Sequence, residues 1–429
     1  MSLSCFRDVL SSGLKVVTIP TPHLHSALIA AYVRAGSRHE RAANNGVSHF
    51  LEHMFFRGSH AFPDTVKMNA AVEEAGGNLN GVTTRDHGYY FTPIHPDRLE
   101  VGFEVLGDML TRPRLCEMEV ERQIILEEML DEVDENGRDI DLDNLSKMEL
   151  FPGHPLALKI AGTVDSVRSM TERQLRAHHQ RHYVTGNMVL VAAGNVRRDE
   201  VLGLAEKHFS HLRRGASNSE RVPPPRRSGP QFRFVRHDEA QTAIRISFRT
   251  VPEHHPDFPA LHLIRRVLDD GLSSRLPFNV VEKRGLAYSL HAGIETFDDL
   301  GIFEIDAACA PEKTARLFLE VCQTLAELKK KQIPEDELER AKQRHRIHLE
   351  FTRDSPGELA GWFGGTELFR PAESFEERTR KIEVQSADQL CRVAARYFRA
   401  ENLNVVAVGQ TRGSKGLRTA VAAAAPLRS

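Results

Sequence analysis

Cysteine is scarce and scattered in this chain: Cys5, Cys116, Cys309, Cys322 and Cys391 are odd in number and include no C-x-x-C pair. That excludes a disulfide framework and a cysteine-built metal site, and the five read as reduced thiols, mostly in cores. No run approaches the ~18 apolar residues needed to cross a bilayer, and residues 1–17 lack the basic stretch and apolar stretch of a secretion signal. No membrane association is therefore expected, and the cytoplasm is the simplest placement. Net charge is nearly absent as well, −2 from 57 basic and 59 acidic residues, which argues against nucleic acid as a partner. What is present, 41% hydrophobic and 27% charged residues over 429 positions, is ordinary for a globular protein. Single cores usually stop growing at about 250–300 residues, so two or more domains are expected.

The stretch from Gly46 to Gly58, G-V-S-H-F-L-E-H-M-F-F-R-G, stands out. As a short helix it sets His49, Glu52 and His53 on one exposed side, because residues four apart lie almost above one another. This H-x-x-E-H order is the inverzincin signature. Two neutral imidazoles at i and i+4 suit tetrahedral zinc, and a carboxylate that is not a ligand can take a proton from the water zinc holds. Chance produces the pattern in roughly one random chain in ten of this composition, so its surroundings matter. Phe50, Leu51, Met54, Phe55 and Phe56 make the helix mostly buried, yet it carries three ionisable groups. An unpartnered polar group costs ~2–7 kcal/mol to bury, and a metal would partner all three.

Short β-branched runs predict strands over 14–19 and 27–35. Pro63-Asp64-Thr65 opens a helix that runs to about Ala75 and stops at Gly76-Gly77. Residues 78–92 read as one strand with a polar centre, 99–112 as a helix, 116–133 as a long acid-rich helix, 171–183 as a helix and 188–193 as a buried strand. Residues 213–231, rich in Pro, Gly, Ser and Arg, form a linker partly stiffened by Pro223 to Pro225, with its arginines solvated. The expected domains are therefore 1–212 and 232–429.

The second half resembles the first. Q-L-R-A-H-H-Q-R-H-Y-V-T-G-N-M-V-L-V-A-A-G begins at Gln174, and Q-L-C-R-V-A-A-R-Y-F-R-A-E-N-L-N-V-V-A-V-G begins at Gln389, so Asn187 pairs with Asn402 and Gly194 with Gly409. A recurring helix, turn and buried strand imply one fold duplicated. Residues 261–276, where the second copy of the motif should stand, carry no H-x-x-E-H, so the first half holds the chemistry.

A catalytic zinc normally has three protein ligands. Glu117, Glu119, Glu121, Glu127, Glu128, Asp131 and Glu132 are all available on the long helix. Helical periodicity sets Glu121, Ile124, Ile125 and Glu128 on one stripe, which favours Glu128 and leaves Glu127 a close rival.

The ordered set H-F-L-E-H-M-F-F-R-G-S, G-G-N-L-N-G-V-T-T-R-D-H-G-Y-Y-F, E-R-Q-I-I-L-E-E-M and R-H-Y-V-T-G-N-M-V-L-V-A-A-G resembles the pitrilysin-type zinc peptidases, the M16 family, in the half-size branch of the mitochondrial processing peptidases. The resemblance covers nearly the whole chain. It implies an α+β fold of two homologous domains, each a mostly antiparallel sheet covered by helices, facing each other or a partner subunit as half of a clam shell. It also implies Glu128 as third zinc ligand, Glu121 as a supporting residue, Glu52 as general base, Asn80 near the substrate and a peptide or unfolded polypeptide added as a strand to the sheet edge over 78–90.

In that branch the second domain supplies an arginine and a tyrosine seven apart that reach the substrate. V-E-K-R-G-L-A-Y keeps the catalytic tyrosine as Tyr288, but the arginine position is Val281. Valine cannot donate to an oxyanion, so the resemblance implies a heterodimer whose partner carries the intact pair, with a homodimer as runner-up. A non-catalytic assembly subunit of the same fold is the alternative reading, and the intact H-x-x-E-H counts against it. A zinc amidase acting on small molecules would have no need of a duplicated facing domain.

Overall fold

The computed structural model describes residues 3–217, 222–226 and 229–428; positions 218–221 and 227–228 of the expected linker lie outside the described residues. The chain forms two compact units built from discontinuous segments. The first comprises Met1–Met129, Leu158–Arg221 and His348–Glu373; the second comprises Leu130–Ala157, Val222–Ile347 and Ser374–Ser429. The units thus differ from the expected halves by two segments, 130–157 and 348–373, each of which packs with the unit of the other half. Gly364 shows why the second segment fits where it does: an added Cβ would lie 2.3 Å from Val191 and 2.8 Å from the Tyr32 ring, so only glycine lets this backbone approach the first sheet. The described ends of the linker are tied down as well, with Gly186 N donating to Gly215 O at 3.0 Å in the first unit and His154 Nε2 2.7 Å from Val222 O in the second.

In the first unit, strands β1 (Phe6–Val9), β2 (Lys15–Pro20), β3 (Ala27–Val33), β4 (Asn80–Thr83), β5 (Gly88–Ile94) and β6 (Met188–Gly194) form one sheet in the order β1-β2-β6-β3-β5-β4. Only β2 and β6 pair in parallel. The central strands β3 and β6 are buried at every position, as their unbroken apolar sequences require. The single strand expected over 78–92 is instead the hairpin β4–β5. Thr84 closes its turn, with Thr84 N donating to His87 O at 2.8 Å and His87 N donating to Thr84 Oγ1 at 3.1 Å.

Helices α1 (Val47–Phe55), α2 (Thr65–Glu74), α3 (Leu99–Thr111), α4 (Met118–Glu128), α5 (Glu172–His182) and α6 (Arg198–His208) belong to the same unit. Asp64 caps α2 by accepting from Lys67 N at 2.8 Å. α1 buries Val47, Phe50, Leu51, Met54 and Phe55, the i, i+3, i+4, i+7, i+8 stripe of an amphipathic helix, and packs against α4 and α5. The helix expected over 116–133 is shorter than its composition suggested. Leu115 and Glu117 take left-handed backbone angles, φ 52° and 58°, which delays its start, and after Glu128 the chain tightens into a 3-10 turn, Met129–Glu132.

The second unit repeats the plan. Strands β7 (Gln231–Arg236), β8 (Thr242–Thr250), β9 (Ser289–Thr296), β10 (Gly301–Cys309) and β11 (Leu403–Gly409) run in the order β7-β11-β8-β10-β9, again with one parallel pair, β7 with β11. This is the first sheet without β1. Helix α7 (Phe258–Leu268) takes the place of α1, α8 (Thr314–Lys330) shares its core, and α9 (Ala387–Tyr397), which packs against both, reproduces α5 with β11 as the counterpart of β6. Cys309 and Cys322 are buried in this unit; Cys5, Cys116 and Cys391 are only half-buried, and all five are free thiols. Among the described residues no helix is long and apolar enough to cross a membrane.

Candidate metal centre

α1 begins at Gly46, whose φ of +90° favours glycine and whose added Cβ would meet Ala161 O at 2.5 Å. From that start the helix phase is fixed. Its apolar stripe faces the core, and His49, Glu52 and His53 are left on the flank beside α4. The flank is less open than the sequence implied, for His49 is buried and the other two are half-buried.

Glu128, the last residue of α4, brings its half-exposed carboxylate across both imidazoles. Its Oε1 lies 3.6 Å from His49 Nε2 and its Oε2 3.4 Å from His53 Nε2. The two rings stand 4.7 Å apart at 73°. Zinc bonds of ~2.0–2.1 Å in a tetrahedron separate neighbouring ligand atoms by about 3.3 Å, so this spacing admits a zinc ion with little adjustment. Two imidazole nitrogens and a carboxylate oxygen are also the donor set zinc prefers. Glu127, the rival left open by spacing, is as exposed as Glu128 but is not in the cluster with the two imidazoles. Ile124 is exposed as well, so the buried side of α4 is Glu121 and Ile125 and not the four-residue stripe that the period suggested.

Glu121 is buried behind this trio. Its Oε2 is 2.9 Å from His53 Nδ1, and its Oε1 accepts from Arg57 Nε. Burial would raise this carboxyl, but the hydrogen bonds from His53 and Arg57 outweigh it and hold it below the usual range. Burial likewise pulls His53 down, and its hydrogen bonds to Glu121 and Glu128 reverse that and lift it to about 9. His49 goes the other way, lowered to about 4 by burial and by the neighbouring His53, with Glu128 opposing. Two adjacent imidazoles cannot both hold a proton cheaply, and a cation between them removes the conflict.

Glu52 is held by Thr83 of β4, whose hydroxyl donates to Oε2. Burial raises its pKa, Thr83 and His53 lower it, and the charge of Glu128 raises it; the net shift is upward. A carboxylate poised in that direction suits proton transfer near neutral pH. The far end of α1 is pinned by Phe55, which meets the rings of Tyr90 and Tyr183 edge-on at 5.2 and 5.0 Å, while those two hydroxyls bond at 2.7 Å.

The structure therefore gathers His49, Glu52, His53, Glu121 and Glu128 in one unit. Asn80 opens the edge strand β4 and bonds within its own turn, its Nδ2 donating to Asn78 O at 3.2 Å. Tyr288 belongs to the second unit, 90% exposed at the bend before β9. Val281 is half-buried against the second unit's core, and Arg284 pairs with Glu320 at 3.1 Å. Sequence reasoning missed Arg57, Thr83 and Glu40. Arg57 stands inside the quoted motif, but its partner Glu121 lies 64 residues on in another helix, and no local spacing signals that pair.

A second cluster of carboxylates, Asp143, Glu295 and Glu304 in the second unit, has similar spacing but a different logic. The fully buried Lys147 ammonium sits among them at 2.9, 2.6 and 2.8 Å, in the place a cation would take.

Comparison with known proteins agrees with this layout. Residues 15–164 match the family described as Insulinase (Peptidase family M16), and residues 169–344 match the Peptidase M16 inactive domain. An uncharacterized zinc protease of Mycobacterium leprae is 34% identical over 347 residues, 78% of this chain and 76% of that protein. The mitochondrial-processing peptidase subunit beta of Caenorhabditis elegans is 29% identical over 422 residues, covering 94% and 89%. The crystal structure of a protease from Helicobacter pylori superimposes with a TM-score of 0.90 at 23% identity, over 95% of this chain and all of that one, and so shares the fold. The H-x-x-E-H order on α1 is the signature of the inverzincin class. Within that class, the chain belongs to the M16 peptidase family.

Proposed function

We propose that the protein is a zinc-dependent endopeptidase acting on peptides or unfolded polypeptide segments, and that it works paired with another half-size M16 chain. The observation that carries this reading is the convergence of His49 Nε2 and His53 Nε2 on the Glu128 carboxylate, with one ligand atom from each residue within 4.8 Å of the others and Glu52 alongside. His49, His53 and Glu128 would hold the ion, which when bound polarises a carbonyl and acidifies water. Glu52 takes the proton of the attacking water and returns it to the leaving amine, oriented for both by the Thr83 hydroxyl. Glu121 keeps His53 in the tautomer that points Nε2 at the ion. A peptide adds to the open edge of β4, beside Asn80, through main-chain hydrogen bonds that tolerate many sequences.

Pairing with another chain is supported by the C. elegans relative, which is named as a subunit, and by the second domain's own residues. Val281 cannot stabilise developing negative charge, and Arg284 is engaged by Glu320. A facing subunit with an arginine and a tyrosine supplies what this chain lacks; in a homodimer Tyr288 serves alone.

The test is cleavage of an unstructured quenched fluorescent peptide library by the purified chain, with bound zinc quantified and Glu52→Gln as control. Zinc with Glu52-dependent cleavage supports the endopeptidase and a self-sufficient dimer. Zinc without cleavage directs the search to the partner subunit, and cleavage restored by no M16 partner favours a non-catalytic assembly role. Absence of zinc binding rejects the site.

A further inference from the structure

The two ligand histidines are oriented by different means. His53 Nδ1 is held by Glu121 at 2.9 Å, whereas His49 Nδ1 is buried and has no hydrogen-bond partner among the described residues. The imidazole of His49 therefore depends on the backbone that carries it, the first turn of α1. That turn has no cap of its own, because Gly46 at the N-cap has no side chain.

Its cap comes from six residues upstream. Glu40 is buried, and its Oε2 accepts from Gly46 N at 2.7 Å and from Asn45 Nδ2 at 2.8 Å, while its Oε1 accepts from Ser48 N at 2.8 Å. One carboxylate thus spans the N-cap and the residue immediately before His49. Asn45 is anchored in turn, donating to Lys159 O at 2.7 Å. An acid at a helix N-terminus also meets the positive end of the helix dipole.

Resting on the zinc-site reading above, we infer that Glu40 is a positioning residue of the metal centre, fixing His49 through the clamped first turn of α1 as Glu121 fixes His53 by direct contact. In Glu40→Gln the amide keeps the shape but turns an N–H toward at least one backbone N–H, so the turn loosens while the core stripe of α1 remains. A residue that only contributes to folding would lower the unfolding midpoint without changing the metal it holds. Positioning changes the coordination itself.

The experiment compares the full chain with Glu40→Gln, Glu40→Asp and Val201→Ala, the last a cavity variant on α6 chosen to lower stability away from the site. Zinc affinity is read by chelator competition and coordination by the visible absorption of the cobalt-substituted protein. Expected is a zinc Kd raised about tenfold or more in Glu40→Gln with altered cobalt bands, a smaller change in Glu40→Asp, and wild-type values for both in Val201→Ala. Wild-type Kd and cobalt spectrum in folded Glu40→Gln would overturn the inference. If that variant does not fold, Asn45→Ala, which removes one donor to Glu40, decides by the same two readouts, and unchanged values there overturn it as well. Failure of the wild-type chain to bind zinc would instead reject the site reading on which the inference rests.

Discussion

Glu121 Oε2 lies 2.9 Å from His53 Nδ1, and the other oxygen of the same buried carboxylate accepts from Arg57. The pair fixes the ring and leaves Nε2 free for the ion. Glu121→Gln keeps the size and loses the charge, and zinc affinity should fall ~10–100-fold, the usual range for removal of a carboxylate behind a ligating histidine. Chelator competition measures this. Affinity equal to wild type would mean that packing alone orients His53.

The Thr83 hydroxyl donates to Glu52 and lowers a pKa that burial raises. Removing the donor in Thr83→Val should move it further up. If Glu52 is the base, the acid limb of kcat/KM shifts to higher pH by about half to one unit, the equivalent of one hydrogen bond. The pH-rate profile checks this, and an unmoved acid limb would assign that limb to another group.

Local pattern carried much of this site. The i, i+3, i+4, i+7 stripe of α1 and the i, i+4 histidines are short-range facts, and the repeat of α5–β6 in α9–β11 is visible as aligned letters. Spacing could not choose between Glu127 and Glu128, because α4 buries only two side chains and has no complete apolar stripe to set its phase. The β4–β5 hairpin reads as one strand in sequence although Asp86 and Gly88 are turn-forming residues at its turn, because they also fit the polar centre of a single strand. Glu40 and Lys147 were invisible for another reason. Glu40 bonds mainly to backbone N–H groups, which leave no mark in the letters, and Lys147 draws two of its three acids, Glu295 and Glu304, from distant strands. A lone acid or lysine in sequence therefore resembles any surface charge. The exchanged segments 130–157 and 348–373 were hidden by the repeat itself, which made each half look self-contained.

The first unit also buries three imidazoles side by side. His178 and His182 stand 4.3 Å apart, His39 and His182 6.1 Å. Burial, reinforced by Arg38 for His39 and by His39 for His182, lowers both of those residues to about 4, and His178 lies well below its usual range. The unfolded chain binds these protons near pH 6.5 and the folded chain does not, so stability is complete above about 6.5 and is lost as pH falls toward 4. Each group contributes up to ~1.4 kcal/mol per pH unit in that window. In metal-free protein, His39→Gln should lose stability on acidification less steeply than wild type by about that amount, as read from urea unfolding at several pH values. Equal slopes would show that His39 is protonated in the folded state.

Lys147 is fully buried among Asp143, Glu295 and Glu304, whose side chains are 36%, 36% and 13% exposed. With the ammonium removed in Lys147→Ala, Arg245 still pairs with Asp143 at 2.7 Å and with Glu304 at 3.4 Å, but Glu295 loses its cation and the three carboxylates share one positive charge instead of two. Breaking a buried ion pair from one side typically costs about 3–5 kcal/mol. The same three residues offer one oxygen each within 4.8 Å of one another, and two of them are open enough to be reached from solvent. Oxygen donors grouped in this way suit a hard divalent cation, which needs no rigid cage. Millimolar calcium should therefore recover part of the lost stability in Lys147→Ala and leave wild type unchanged, since there the ammonium already occupies the centre. Thermal unfolding with and without calcium makes the comparison, and Lys147→Ala combined with Glu304→Gln should lose the recovery. A destabilised Lys147→Ala that calcium does not raise would mean that the acids take up protons or turn outward once the lysine is gone.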